Sequence, residues 1–94
     1  EITSAAVKLG SEWQIADGKL RRELEFADFS SAIRFVSRVA ELAEEVDHHP
    51  DLHIYYKRIV VELMTHKFNG LSVKDFALAT QIEQLFHTSN TKSI

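Results

Sequence analysis

Asp28 is followed by apolar residues at intervals of three and four: Phe29, Ala32, Ile33, Val36, Val39 or Ala40, Ala43 and Val46. That spacing commits about five turns to a helix with a single apolar stripe. A stripe of this kind is costly to leave in water, so the rest of the chain has to supply a surface for it. The Asp28 carboxylate is suited to cap the helix by accepting a free N–H of the first turn. Arg34, Arg38, Glu41 and Glu45 fall mostly off the stripe. Pro50 is expected to close the helical region from outside, because it restricts the residue before it.

The surface comes from strands. Trp13 to Ile15 reads as a first strand, and Asp17-Gly18 as a two-residue hairpin turn. In the next segment Leu20, Leu24 and Phe26 share one parity, and Arg21, Glu23 and Glu25 share the other. This is a strand with one buried and one wet face, although Arg22 interrupts the apolar side. After Pro50 come Leu52 to Ile54, a turn near Tyr55-Tyr56-Lys57, and a strand from Arg58 to Thr65. Ile59, Val61 and Leu63 face one way. Arg58, Val60, Glu62 and Met64 form a mixed second face, left open between a subunit contact and an ordinary outer surface. Asn69-Gly70 marks a turn, and Ser72-Val73-Lys74-Asp75 has capping-box spacing with Asp in the usual place of Glu. A second helix is expected over 73–86, with Phe76, Leu78, Ala79, Ile82, Leu85 and Phe86 on its apolar side. Residues 3–10 are read as a short helix carrying Val7 and Leu9, and 87–94 as a frayed polar tail. The core order β-β-α-β-β-α implies an α+β fold: a four-stranded antiparallel sheet with helices packed on one face.

The 94 residues suit one domain spanning 1–94. A chain this short buries about two thirds of its surface, so a large enclosed site would need a partner subunit. It has no cysteine, which removes disulfides, thiol catalysis and thiolate metal sites and suits a cytoplasmic location. The net charge of -3 argues against direct binding of nucleic acid by a broad basic field. A weaker patch would require Arg21, Arg22, Arg34, Arg38, Lys57 and Arg58 to converge. No apolar run approaches about 18 residues, so no membrane partner is expected. The first residues lack the basic region and apolar core of a secretion signal.

Chemistry is best sought at Asp47-His48-His49-Pro50, where two of the five histidines are adjacent at a helix end. Imidazole is the side chain suited to moving protons near neutral pH. The same pair can equally be a polar cap. Glu44 lies four residues before His48, as a line of the same cleft or as a solvated charge. His66, at the end of the long strand, is either a surface residue or a third imidazole across a groove. Asp75 is either the capping residue of the second helix or a carboxylate that orients an imidazole. A metal held by His48, His49, His66 and a carboxylate competes with these readings, but neither cysteine nor H-E-x-x-H spacing supports it. His53 and His87 read as surface and tail residues; Trp13, Tyr55, Tyr56 and Phe68 read as packing groups.

Taken together, Glu44-Glu45-Val46-Asp47-His48-His49-Pro50, Tyr55, Thr65-His66, Gly70-Leu71-Ser72 and Asp75 resemble the pterin-4a-carbinolamine dehydratase family. The resemblance runs from about Trp13 to Phe86. It implies a four-stranded antiparallel sheet with helices on one side, in agreement with the element order. It also implies a lyase that converts 4a-hydroxytetrahydrobiopterin to quinonoid dihydropterin and water, supporting tetrahydrobiopterin recycling. By motif, His48, His49 and His66 would be catalytic, with Asp75 supporting His66. Glu44 and Pro50 would shape the substrate pocket with the three histidines. His49 would act as base near N5, and His48 with His66 as acid or leaving-group stabiliser.

No metal and no organic cofactor is implied, because the pterin is the substrate. Family members form homodimers, some of which pair into homotetramers, and one stabilises a transcription factor. The alternative reading is therefore a non-enzymatic protein-binding or dimerisation module on the same fold. A third is a pterin-binding assistant in cofactor assembly. Two departures bear on substrate fit: Leu52 stands where the family often has an aromatic residue, and Lys67-Phe68-Asn69 replaces smaller or acidic residues before the glycine.

Overall fold

The computed structural model describes residues 12–65 and 71–91. The order is β1 (Gln14–Ala16), β2 (Lys19–Glu25), α1 (Phe29–Val46), β3 (Asp51–Tyr55), β4 (Arg58–Leu63) and α2 (Val73–Thr91). The four strands form one antiparallel sheet in the order β1-β2-β4-β3. The short helix expected over 3–10 lies outside the described residues.

The first hairpin is built as its sequence suggests. Asp17 (φ 54°) and Gly18 (φ 73°) both take the left-handed backbone that a two-residue turn of the favoured hand needs. Ala16 pairs with Lys19 across it. The strand begins one residue later than the pattern implied, because Trp13 leaves the ladder and packs into the core. The β3–β4 hairpin turns at Tyr56-Lys57, with Tyr56 itself left-handed (φ 57°).

The core lies between one sheet face and both helices. Leu20 and Leu24 of β2 and Ile59, Val61 and Leu63 of β4 meet Ala32, Phe35 and Val39 of α1 and Phe76, Ala79, Ile82 and Phe86 of α2. The expected stripe on α1 is offset. Phe35 is at its centre and was left out of it, while Phe29 and Val46 are exposed. The buried set Ala32, Phe35, Val39 and Ala43 keeps the helical spacing but is turned about the axis, carrying the two ends of the expected stripe into water.

Arg22 shares the helix-facing parity of Leu20 and Leu24. It is accommodated by a two-point ion pair with Glu83 of α2, Nε to Oε1 at 3.0 Å and Nη2 to Oε2 at 3.0 Å. The Trp13 indole N–H donates to Glu83 Oε1 at 2.7 Å. Burial pushes the Glu83 carboxyl up, but these hydrogen bonds and the Arg22 charge outweigh it and hold Glu83 below its ordinary value.

The opposite sheet face is an ion-pair lattice. Glu62 takes Lys19 at 3.6 Å and Arg21 at 3.4 Å; Glu23 takes Arg21 at 3.0 Å and Arg58 at 3.6 Å. Val60 is buried between Glu23 and His53 on the neighbouring strands, so the mixed second face of β4 carries charged side chains around a covered apolar residue. The basic residues do not converge. Arg21 and Arg58 lie on this face, Arg22 on the other, and Arg38 beside Glu41 and Glu45 in a groove of about 520 Å³ between the helices.

Candidate functional site

α1 stops before Pro50 can act on it. Asp47 adopts a left-handed backbone (φ 55°, ψ 45°), and the N–H groups of Asp47 and His48 both return to the Ala43 carbonyl, His48 at 3.1 Å. The stop therefore comes from Asp47, a residue type that tolerates this conformation, and Pro50 follows it. The sharp exit separates the two histidines, which take different carboxylates.

His48 turns inward. Its side chain is 14% exposed, and Nε2 lies 2.6 Å from Oδ1 of Asp75, which is fully buried. Asp75 is in the first turn of α2, so this contact ties the end of one helix to the start of the other. The second oxygen of Asp75 is also used. Oδ2 accepts the Ser72 N–H at 2.9 Å and the Thr65 hydroxyl at 2.8 Å, and the Ser72 hydroxyl lies 2.5 Å from that of Thr65. Capping and imidazole support, which looked like competing uses of Asp75, are divided between its two oxygens.

His49 turns outward. Its Nε2 is 2.6 Å from Glu44 Oε2, with side chains 54% and 77% exposed. Glu44 was expected beside His48 on one helical face. The helix ends at Val46, the chain folds back, and Glu44 meets His49 instead. Pro50 is half-buried between this pair and β3. Leu52 is partly buried against the core. His66 and Phe68 lie outside the described residues, and so does any contact between His66 and Asp75.

The remaining histidines are placed elsewhere. His53 bonds Glu62 at 3.1 Å on the outer sheet face and stacks with Tyr55. The His53 hydrogen bond lowers the Glu62 carboxyl from its ordinary value. His87 is not in a frayed tail: α2 continues to Thr91, and His87 contacts Glu83 at 2.7 Å one turn away. Sequence reasoning gave no role to Thr65 or to the Ser72 hydroxyl. Their signal was the capping spacing Ser72–Asp75, which ties Ser72 to the carboxylate, and the position of Thr65 at the strand end opposite it.

Comparison with known proteins bears on the family and the fold of the chain. The sequence profile of the family described as Pterin 4 alpha carbinolamine dehydratase matches residues 1–85. A provisionally named pterin-4-alpha-carbinolamine dehydratase of Metallosphaera sedula is 42% identical over 80 residues, covering 85% of this chain and 83% of the relative. One from a Picosynechococcus species is 46% identical over 74 residues, covering 79% and 80%. A crystal structure from Brucella melitensis, described as a transcriptional coactivator/pterin dehydratase, superposes with TM-score 0.86 at 34% identity, covering 92% and 93%. A pterin dehydratase-like RuBisCO assembly factor of the alpha-carboxysome has the same fold, with TM-score 0.67 at 19% identity over 82% and 92%. With its profile match over most of the length and relatives above 40% identity, this chain belongs to the pterin 4 alpha carbinolamine dehydratase family.

Proposed function

We propose that the protein dehydrates a 4a-hydroxytetrahydropterin to the quinonoid dihydropterin, within tetrahydrobiopterin recycling. The C4a–O bond breaks, the departing hydroxyl gains a proton and leaves as water, N5 loses its proton, and a double bond forms between C4a and N5. The reaction needs one proton delivered and one removed, which is work for imidazoles held beside the ring. The observation that carries the reading is the adjacent pair His48–Asp75 and His49–Glu44, two imidazoles on separate carboxylates at one helix exit. In this reading His49, exposed and paired with Glu44, takes the N5 proton. His48 and His66 serve the departing oxygen, with Asp75 behind His48. Glu44 and Pro50 border the substrate.

The test is direct. The 4a-carbinolamine is generated by a turning-over aromatic amino acid hydroxylase, and its decay is followed in the ultraviolet with and without the protein. Micromolar protein should accelerate the decay, and His49→Ala and His66→Ala should each lower the enzymic rate by about 100-fold, the typical worth of a positioned acid or base. Decay at the background rate would sink the reading.

A second reading has one observation behind it: the Brucella melitensis protein is described as a coactivator as well as a dehydratase. On that reading the chain acts through a protein partner, as a homo-oligomeric module without turnover. The same assay separates the two.

A further inference from the structure

Thr65 and Ser72 touch the buried carboxylate, and the dehydration chemistry above gives them no part. The Thr65 hydroxyl has a single proton, and it donates that proton to Asp75 Oδ2 at 2.8 Å. The Ser72 hydroxyl, 2.5 Å away, must then be the donor to Thr65 Oγ1. Its own approach to Oδ2, at 3.5 Å, is left without a proton. The Ser72 N–H fills the remaining direction at Oδ2 at 2.9 Å. Each proton in the cluster thus has one destination. An ionised carboxylate only accepts, so Oδ1, at 2.6 Å from His48 Nε2, requires the proton to be on Nε2. Among the described residues, Nδ1 of His48 has no hydrogen-bond partner.

We propose that Thr65 and Ser72 are positioning residues: their hydroxyl relay pins Asp75, fixes His48 as the Nε2–H tautomer, and leaves Nδ1 as the nitrogen that exchanges a proton with the substrate. The substrate in this statement rests on the dehydratase reading; the tautomer does not. Nδ1 accepts a proton through its lone pair, or hands one to the departing oxygen when the ring is protonated. In both directions Nε2–H stays on Asp75 and no proton passes to the carboxylate. A partner that orients an imidazole in this way fixes both ring direction and tautomer.

The experiment uses the full chain with Thr65→Val, Thr65→Ser and Ser72→Ala. Thr65→Val keeps the volume and removes the hydroxyl. Ser72→Ala leaves the backbone N–H in place and lies apart in sequence from His66. The His48 ring nitrogens are read by two-bond proton–nitrogen NMR correlation, alongside kcat, KM and urea midpoints. In the unsubstituted protein, at a pH where the His48 ring carries a single proton, Nε2 should have the shift of a protonated nitrogen and Nδ1 that of a bare one. Thr65→Val and Ser72→Ala should move both nitrogens toward averaged values and lower kcat about tenfold, the low end for outer-shell partners, with KM within about twofold. Thr65→Ser should restore both readouts.

Wild-type nitrogen shifts in Thr65→Val and Ser72→Ala would overturn the proposal. So would activity lost only in proportion to the unfolded fraction, or a wild-type His48 protonated on Nδ1 alone. The nitrogen shifts need no turnover. A protein that proves inactive toward the carbinolamine therefore fails the dehydratase reading while its tautomer still decides this one.

Discussion

Replacing Asp75 separates two duties that one carboxylate performs. Oδ2 holds the Ser72 N–H and the Thr65 hydroxyl, and Oδ1 holds His48 Nε2. Truncation to Ala strands these donors at a fully buried position. A buried donor left without its partner costs about 1–3 kcal/mol. Three donors are stranded at once, and water entering the space left by the side chain relieves part of the cost, for a sum of about 3–5 kcal/mol. Asp75→Ala should therefore lose about 3–5 kcal/mol, a large part of the roughly 5–15 kcal/mol that holds a small domain. Such a variant cannot report on chemistry alone.

Asp75→Asn can. The amide has the shape of the carboxylate, and its carbonyl can take over the two donors at Oδ2. Its NH₂ then faces His48 Nε2, donor against donor, and the conflict is relieved only if the ring moves its proton to Nδ1. Charge-assisted bonds become neutral ones, a loss of about 1–2 kcal/mol. For a domain of this length each kcal/mol lowers Tm by about 4–8 °C. The dehydration rate should fall far more, by about 100-fold or beyond, because the wrong nitrogen carries the proton. Urea unfolding and ultraviolet kinetics on the wild type, Asp75→Asn and Asp75→Ala test this together. An Asn variant within threefold of wild-type kcat would refute the tautomer argument. An Asn variant as unstable as the Ala one would refute the division of the two oxygens.

Two further outcomes follow from the core and its polar clip. Phe35 is buried against Phe26 and Phe86, with ring centroids 5.0 and 6.1 Å away, so Phe35→Ala should cost about 3–5 kcal/mol in a urea melt. A loss below 1 kcal/mol would mean that the stripe on α1 has been misassigned. Glu83, faced by Arg22 and Trp13 from the sheet side and by His87 on its own helix, has a carboxyl held below its ordinary value of 4.5. Its contribution is therefore fully present above about pH 4.5, the unfolded value, and is lost as pH falls through the lower folded value. The stability advantage of wild type over Glu83→Gln should be present at pH 7 and shrink below pH 4; an advantage independent of pH would show that the charge is not what matters.

How legible this molecule was depends on where local pattern and tertiary packing agree. Asp17-Gly18 and the parity of Leu20 and Leu24 are local statements about turn chemistry and strand period, and they survived intact. Phe35 is a tertiary fact: helical spacing admits several overlapping stripes, and only the position of the sheet selects one. Arg22 looked like an interruption of an apolar face because its partner, Glu83, is 61 residues away. The end of α1 was assigned to Pro50, a strong signal, while the operative feature is the left-handed backbone of Asp47, which its residue type allows but does not announce. At the site, the histidine pair and Asp75 were visible as residue types. Their partnerships were not, because the turn at Asp47 exchanges which imidazole faces Glu44.

The division of labour at Asp75 bears on how members of such a lineage can lose their chemistry. The carboxylate starts a helix as well as serving His48, so a descendant that gave up dehydration would still need an acceptor there, Asp or Asn, for the Ser72 N–H and the Thr65 hydroxyl. Glu44 and His49 lie at the surface and bond chiefly to each other; they are free to drift once the reaction is abandoned. An acceptor at position 75 is thus a mark of the fold, and on the dehydratase reading proposed above the exposed pair at 44 and 49 is the better indicator of whether the reaction is still performed.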